Sequence, residues 1–269
     1  MLYFLIKLMA ITAIRTFFNK ISAENVDYIA KDVPIIFTAN HPNTMMDPMI
    51  IGYTCKRKLH FFAKSTLFNN MIAGWFLRRI QIVPVYRKVD DPSKMDQNKE
   101  TFSKGYEILK QNKAFLIFPE GISTGDRKLS QIKTGAARIG FGAEAENDWQ
   151  LGVQIIPVGL NYTNAIKFRS DVSTRFGQPI QLTDFRDVYE QNEKEAVHLV
   201  TEQIETALSK LTINLKDLEM QEIVEALERI YKQELAVDLG LETENKADDF
   251  SVTKGLINAV EWYYENEPS

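Results

Sequence analysis

Cysteine is almost missing from this chain: Cys55 is the single one among 269 residues. A lone cysteine excludes an intramolecular disulfide and a cysteine-based zinc site. Histidine is scarce too. The three histidines stand at 41, 60 and 198, too scattered to suggest a metal cluster, so no metal is expected. Internal repeats and low-complexity tracts are also lacking. With 45% hydrophobic and 25% charged residues, the composition excludes a disordered or collagen-like chain.

Long clean hydrophobic runs are lacking as well. A spanning helix needs roughly 20 nearly uninterrupted apolar residues. Residues Met1 to Phe18 are mostly apolar but are broken by Lys7 and Arg15, which leave only Leu8 to Ile14 uncharged between them. A cleaved signal peptide fits poorly, because Lys7 interrupts the apolar region and no small-x-small site follows. Two readings remain for this segment: a helix lying in a bilayer interface, or a buried core helix. Residues Val33 to Cys55 come nearest to a second span, and they contain Pro34, His41, Pro42, Asp47 and Pro48.

The net charge of -4 hides a division. Residues 1–180 carry +9 and residues 181–269 carry -13. A basic front and an acidic back suggest two functional surfaces. A basic half attracts anionic partners in general. No nucleic-acid motif accompanies it, so nucleic acid is not an expected partner. The acidic half is expected to face water, away from a bilayer.

Short apolar runs alternate with helical periodicity. Strands are expected over Val33–Ala39, Lys58–Lys64, Ile80–Arg87, Lys113–Phe118, Gly152–Tyr162 and Asp171–Phe176. Helices are expected over Thr44–Lys56, Ser65–Arg79, Lys94–Gln111 and Leu129–Ala145. Such alternation predicts an α/β fold, a mixed sheet flanked by helices. Beyond about residue 182 the strand signals stop, while Glu193–Leu211 and Leu218–Leu235 remain helical. The expected organisation is an N-terminal interfacial helix at 1–20, a catalytic domain at 21–182 and an acidic helical extension at 183–269. Near the end, Trp262, Tyr263 and Tyr264 form an aromatic cluster that either docks on the body or marks where a longer relative continues.

The sharpest chemical feature is Asn40-His41-Pro42-Asn43-Thr44-Met45-Met46-Asp47-Pro48. A histidine leaving a strand, with an aspartate one helical turn later, is a sound way to build an acid–base pair. Neutral imidazole takes a hydroxyl proton near neutral pH, and a carboxylate on its other nitrogen fixes the tautomer. His60 and His198 lie in regular elements and read as structural.

The run from His41 to Asp47 resembles the His-x5-Asp signature of the glycerolipid acyltransferase superfamily. The longer spacing is similar to the fungal branch acting on glycerol-3-phosphate or dihydroxyacetone phosphate. Phe62-Ala63-Lys64, Leu67-Phe68 and Val83-Pro84-Val85-Tyr86-Arg87 together resemble the second family block. Phe118-Pro119-Glu120-Gly121 resembles the third, and Ile156-Pro157-Val158-Gly159-Leu160 the fourth. Asn161-Tyr162 and Lys167-Phe168-Arg169-Ser170 look like the glycerol-3-phosphate branch. The similarity covers most of residues 15–235.

The resemblance implies a membrane-associated O-acyltransferase of phospholipid biosynthesis, peripheral on the cytoplasmic face. His41 and Asp47 would be catalytic, and no cofactor is implied beyond the acyl-CoA or acyl carrier protein that serves as donor. The acceptor would be a glycerol phosphate: glycerol-3-phosphate, its 1-acyl product, dihydroxyacetone phosphate or an amino-acid-derived lipid. Arg87, Phe118, Pro119, Glu120, Gly121 and Lys133 would contact substrate. Arginine suits phosphate through its planar fork. Glu120 would accept bonds from acceptor hydroxyls or order a basic residue, and Lys133 would begin a helix face. Ser123 stands where many relatives carry an arginine, with Arg127 or Lys133 as replacements.

Two rivals come from other classes. Gly121-Ile122-Ser123-Thr124-Gly125 matches the Gly-x-Ser-x-Gly elbow of a serine esterase or lipase, with His198 downstream. A lipid-binding protein without turnover is the other. The hydrolase reading leaves His41 and Asp47 without a role.

Overall fold

The computed structural model describes residues 2–80, 82–86, 93, 96, 98–123, 129–213, 218–241 and 246–266. The chain divides into two compact units, 1–125 with 130–211, and 126–129 with 212–269.

The first unit is built on an eight-stranded sheet. Its strands are β1 (Lys20–Glu24), β2 (Ile35–Ala39), β3 (Leu59–Lys64), β4 (Ile82–Val85), β5 (Ala114–Ile117), β6 (Gln154–Tyr162), β7 (Asp171–Phe176) and β8 (Ile180–Gln181). The spatial order is β1-β7-β6-β2-β5-β3-β4, with β8 also paired to β6. Strands β6, β2, β5, β3 and β4 run parallel, whereas β7 and β8 run antiparallel to β6. Strand β1 is parallel to β7. All five residues of β2 are buried, as a central parallel strand with helices on both faces requires. Pro157 is tolerated inside β6 because of where the partners change. Pairing with β8 reaches Ile155 and pairing with β7 begins at Val158, so the missing N–H interrupts neither of those ladders.

The helices of this unit are α1 (Leu2–Phe17), α2 (Met46–Thr54), α3 (Met71–Arg79), α4 (Asn98–Lys110), α5 (Gly135–Ala145), α6 (Arg186–Gln191) and α7 (Glu193–Leu211). Helix α1 packs on α2, and α4, α5 and α7 pack together in sequence. Close approach of α5 to the sheet depends on Gly140, where a Cβ would lie 3.2 Å from the Ile36 Cδ1 and collide with Leu182. The helix expected over 65–79 is divided into a 3-10 turn, Ser65–Phe68, and α3, which the Asn70 side chain caps by accepting from the Ile72 and Ala73 N–H groups. Short strands β1 and β8 had no counterpart in the periodicity, since neither carries a long apolar run.

The unit continues to Leu211 rather than closing near residue 182. Helix α7 buries Ala196, Val197, Val200, Ile204 and Leu208 and packs on α5 and β6. Its apolar stripe therefore belongs to the same core as the sheet. Helix α1 is not a separate unit either. Ile14, 1% exposed, and Phe18 join the core with Phe37, Ile50 and Phe176, while Leu8 and Met9 remain exposed. The end of α1 thus fits the core-helix reading. Among the described residues, no helix is long and apolar enough to cross a membrane.

The second unit contains α8 (Leu218–Asp238) and α9 (Lys246–Asn266), which pack on one another. Met220, Val224, Ile257 and Val260 form its small core. The Thr253 hydroxyl donates to Glu228 at 2.5 Å, and Lys232 lies 3.3 Å from the same carboxylate. Trp262, Tyr263 and Tyr264 stand exposed on α9.

Burial of Ile14 predicts that Ile14→Ala costs about 2–5 kcal/mol of stability in lipid-free buffer. Urea denaturation of the full chain measures this. An unchanged midpoint would mean that the end of α1 is not part of the core.

Candidate active site

The parallel strands end on one edge of the sheet, and the chemistry-bearing residues gather there. His41 follows β2, Phe118-Pro119-Glu120 follows β5, and Tyr162 ends β6. Loops beyond the carboxyl ends of parallel strands are the usual place for a site in such a sheet.

The loop after β2 is pinned before it turns. Asn40 clamps the backbone of β6: its side-chain amide donates to the Leu160 carbonyl at 2.9 Å, and its oxygen accepts from the Leu160 N–H at 2.7 Å. The Asn43 carbonyl accepts from the Met46 N–H at 2.8 Å, which starts α2 and brings Asp47 into its first turn. The Asn43 side chain donates to the Ala165 carbonyl. Proline at 42 and 48 keeps the loop short and stiff.

Asp47 is 0% exposed and is held from three sides. Its Oδ2 lies 2.8 Å from His41 Nδ1 and accepts from the Asn43 N–H at 2.8 Å. Its Oδ1 accepts from the Tyr162 hydroxyl at 2.6 Å. A buried carboxylate without such donors would be costly, and the N-terminal turn of α2 also favours a negative charge there. With Asp47 ionised, His41 carries its proton on Nδ1, which leaves Nε2 unprotonated in the neutral ring.

The His41 ring is held in place as well. Phe118 stacks on it with centroids 3.8 Å apart and an 11° interplanar angle. Glu120, buried, accepts from the His41 N–H at 3.0 Å through Oε1 and from the Ser130 N–H at 2.8 Å through Oε2. Its oxygens are already engaged by backbone donors, so it joins the loop after β2 to the segment before α5.

Lys133 precedes α5 instead of beginning its face. Its N–H donates to the Pro119 carbonyl at 3.0 Å. Gly121 has φ of +71°, and a Cβ there would collide with the Lys133 ammonium. The glycine therefore lets a cation sit against the backbone beside the His41 loop. Ser123 Oγ accepts from both the N–H and the hydroxyl of Thr44, each at 3.2 Å, which ties the same two loops together. Arg87 and Arg127 lie outside the described residues.

Tyr162 was not a site candidate on chemical grounds, although Asn161-Tyr162 was part of the family resemblance. A tyrosine at the end of a buried strand reads as core, and only the fold shows its hydroxyl on Asp47. Asn40, Asn43 and Thr44 were likewise visible only as turn residues. His60, in β3, has its pKa lowered to about 4, first by burial and then by Lys113 and Lys58, which suits a neutral structural residue.

The acyltransferase family model matches residues 20–161, a segment that holds the His41 and Glu120 loops. This chain belongs to the acyltransferase family. It is 32% identical over 136 residues to glycerol-3-phosphate O-acyltransferase 2 of Saccharomyces cerevisiae, covering 50% of this chain and 18% of that protein. Glycerol-3-phosphate O-acyltransferase 1 of the same yeast is 27% identical over 179 residues, covering 65% of this chain and 22% of that protein. The chain thus covers about a fifth of the length of these fungal relatives. The 1-acyl-sn-glycerol-3-phosphate acyltransferase of Streptococcus pneumoniae is 28% identical over 194 residues, covering 70% of this chain and 64% of the relative. The crystal structure of the 1-acyl-sn-glycerophosphate acyltransferase PlsC from Thermotoga maritima has the same fold, with a TM-score of 0.54 over 78% of this chain and 79% of that one at 21% identity.

Burial raises the Tyr162 phenol well above its ordinary 10.0, and the adjacent Asp47 charge and hydrogen bond add to the shift. The folded chain therefore keeps this proton at a pH where the unfolded chain releases it. The resulting stability is complete below about pH 10 and is lost as pH rises toward the folded value. Tyr162→Phe should cost about 1.5–3 kcal/mol at neutral pH, and the deficit relative to wild type should shrink above about pH 10. Urea titrations of both proteins across that range measure it; a deficit independent of pH would contradict the assignment.

Proposed function

We propose that this chain is a membrane-associated O-acyltransferase that moves a fatty acyl group from a thioester, acyl-CoA or acyl carrier protein, to a glycerol-phosphate acceptor. The observation that carries the reading is the His41–Asp47 bond at 2.8 Å, with Asp47 fully buried and Nε2 left as the base. The acceptor hydroxyl gives its proton to Nε2 as its oxygen attacks the thioester carbonyl. A carbon–oxygen bond forms, the carbon–sulfur bond then breaks, and the imidazolium returns the proton to the departing thiolate. Asp47 stabilises the imidazolium in between.

For the acceptor phosphate we assign Lys133, which sits against Gly121 in the segment bonded to Pro119, and Arg87, which is proposed from the family resemblance. The names of the relatives favour glycerol-3-phosphate or its 1-acyl product. The exposed Leu8 and Met9 on α1 support a peripheral place on a membrane, which we assign to the cytoplasmic face. The hydrolase reading loses support from His198. That residue lies within α7, exposed, 3.4 Å from Glu202 one turn on.

Purified protein incubated with labelled acyl-CoA or acyl carrier protein and a panel of glycerol phosphates tests the proposal. His41→Ala should reduce acyl transfer by about 10²–10⁴-fold, while Ser123→Ala should retain most of it. Loss of turnover only with Ser123→Ala would support the esterase instead. An absence of acylated product with every acceptor would support a lipid binder.

A further inference from the structure

Helical periodicity in residues 67–76 suggests a core-facing stripe, but the structure leaves much of it in solvent. Met71 is 87% exposed, Ile72 79% and Trp75 62%, and Leu67 is exposed beside them. Helix α3 packs on β4 and on the preceding 3-10 turn, yet of its nine residues only Gly74 is buried. Three large apolar side chains projecting from one short helix mark an interaction surface rather than chance exposure.

Charge identifies the partner. From Pro48 to Val89 the sequence holds eight lysines and arginines and no aspartate or glutamate. Arg78 and Arg79 close α3, and Lys64 ends the strand before it. An apolar tip with tryptophan, flanked by cations and free of acids, fits the interface of an anionic bilayer. Side chains this exposed suit insertion into a deformable apolar medium.

Position agrees. The 3-10 turn leaves β3 at the sheet edge from which His41 leaves β2, because β2, β5 and β3 are parallel. Successive crossovers from β2 through α2 to β3, and from β3 through α3 to β4, move in one direction along the sheet. Right-handed connections then place α2 and α3 on the same face. Helix α1, with exposed Leu8 and Met9, packs on α2.

We propose that α3 is a second membrane-docking element, inserting Met71, Ile72 and Trp75 into an anionic phospholipid surface while Arg78 and Arg79 meet the headgroup phosphates. This rests on the membrane-associated reading above and extends it. Together with α1 it would hold the His41 edge at the lipid surface by two contacts instead of one.

The test is co-sedimentation of the full chain with phosphatidylcholine vesicles, with and without phosphatidylglycerol. The variant is Met71→Ser/Ile72→Ser/Trp75→Ser, whose changes are confined to exposed positions. Circular dichroism and turnover of a short-chain, water-soluble acceptor confirm that it is folded. Wild type should bind the anionic vesicles and lose binding as salt rises. The triple variant should bind them at least about tenfold more weakly. If wild type binds and the variant binds equally, α3 is not a docking element, while the membrane reading stands. If wild type binds neither vesicle, the membrane reading itself fails and this inference falls with it. If the variant keeps vesicle binding but loses turnover with acyl carrier protein alone, the surface belongs to that carrier, which also overturns the inference.

Discussion

Asp47 is a carboxylate removed from water and held by three donors, and the arrangement of the site follows from satisfying it. Taking such a charge into the protein costs several kcal/mol unless hydrogen bonds replace its hydration. The Asn43 N–H, the Tyr162 hydroxyl and His41 Nδ1 supply those bonds. Each donor comes from a different piece of structure: the turn before α2, the end of β6 and the end of β2. Their convergence makes the orientation of the His41 ring a consequence of folding. Tyr162 also packs near Phe18 at 5.7 Å, so the end of α1 supports the residue that supports Asp47.

Around this centre, one sheet edge is closed by side chains that bond to backbone. Asn40 grips β6, Glu120 joins the loops after β2 and β5, and the Thr44–Ser123 bonds repeat that connection nearer the surface. Such contacts restrict the loops that carry the His41 ring. They also explain how a short, proline-bounded turn can present a base with a fixed tautomer. Gly121 serves the same edge differently, since its absent Cβ leaves space for the Lys133 ammonium.

The sheet is largely legible because its central strands are continuous apolar runs, and β7 occupies the residues that the pattern predicts, Asp171–Phe176. What periodicity could not show was sidedness. The stripe at residues 67–76 has core spacing but faces solvent, because α3 crosses to the edge strand β4 and leaves much of that stripe uncovered. The end of the first unit was hidden for the opposite reason: α7 is acidic on its outer face, and only its buried stripe ties it to the sheet. In the site, spacing and chemistry make the His41–Asp47 pairing one of two readings, beside a surface turn with an unrelated aspartate, and the family resemblance selects it. Tyr162 was not legible as a partner of Asp47, because the two are 115 positions apart in sequence and only strand register joins them.

Asp47 fixes the tautomer of His41 so that Nε2 is the base. Ring-nitrogen chemical shifts of histidine-labelled protein test it directly, at an alkaline pH where an ordinary imidazole is neutral. His41→Ala identifies which signals belong to His41. That residue should show a protonated Nδ1 and an unprotonated, pyridine-like Nε2. A proton on Nε2, or the averaged shifts of a ring exchanging between tautomers, would contradict it.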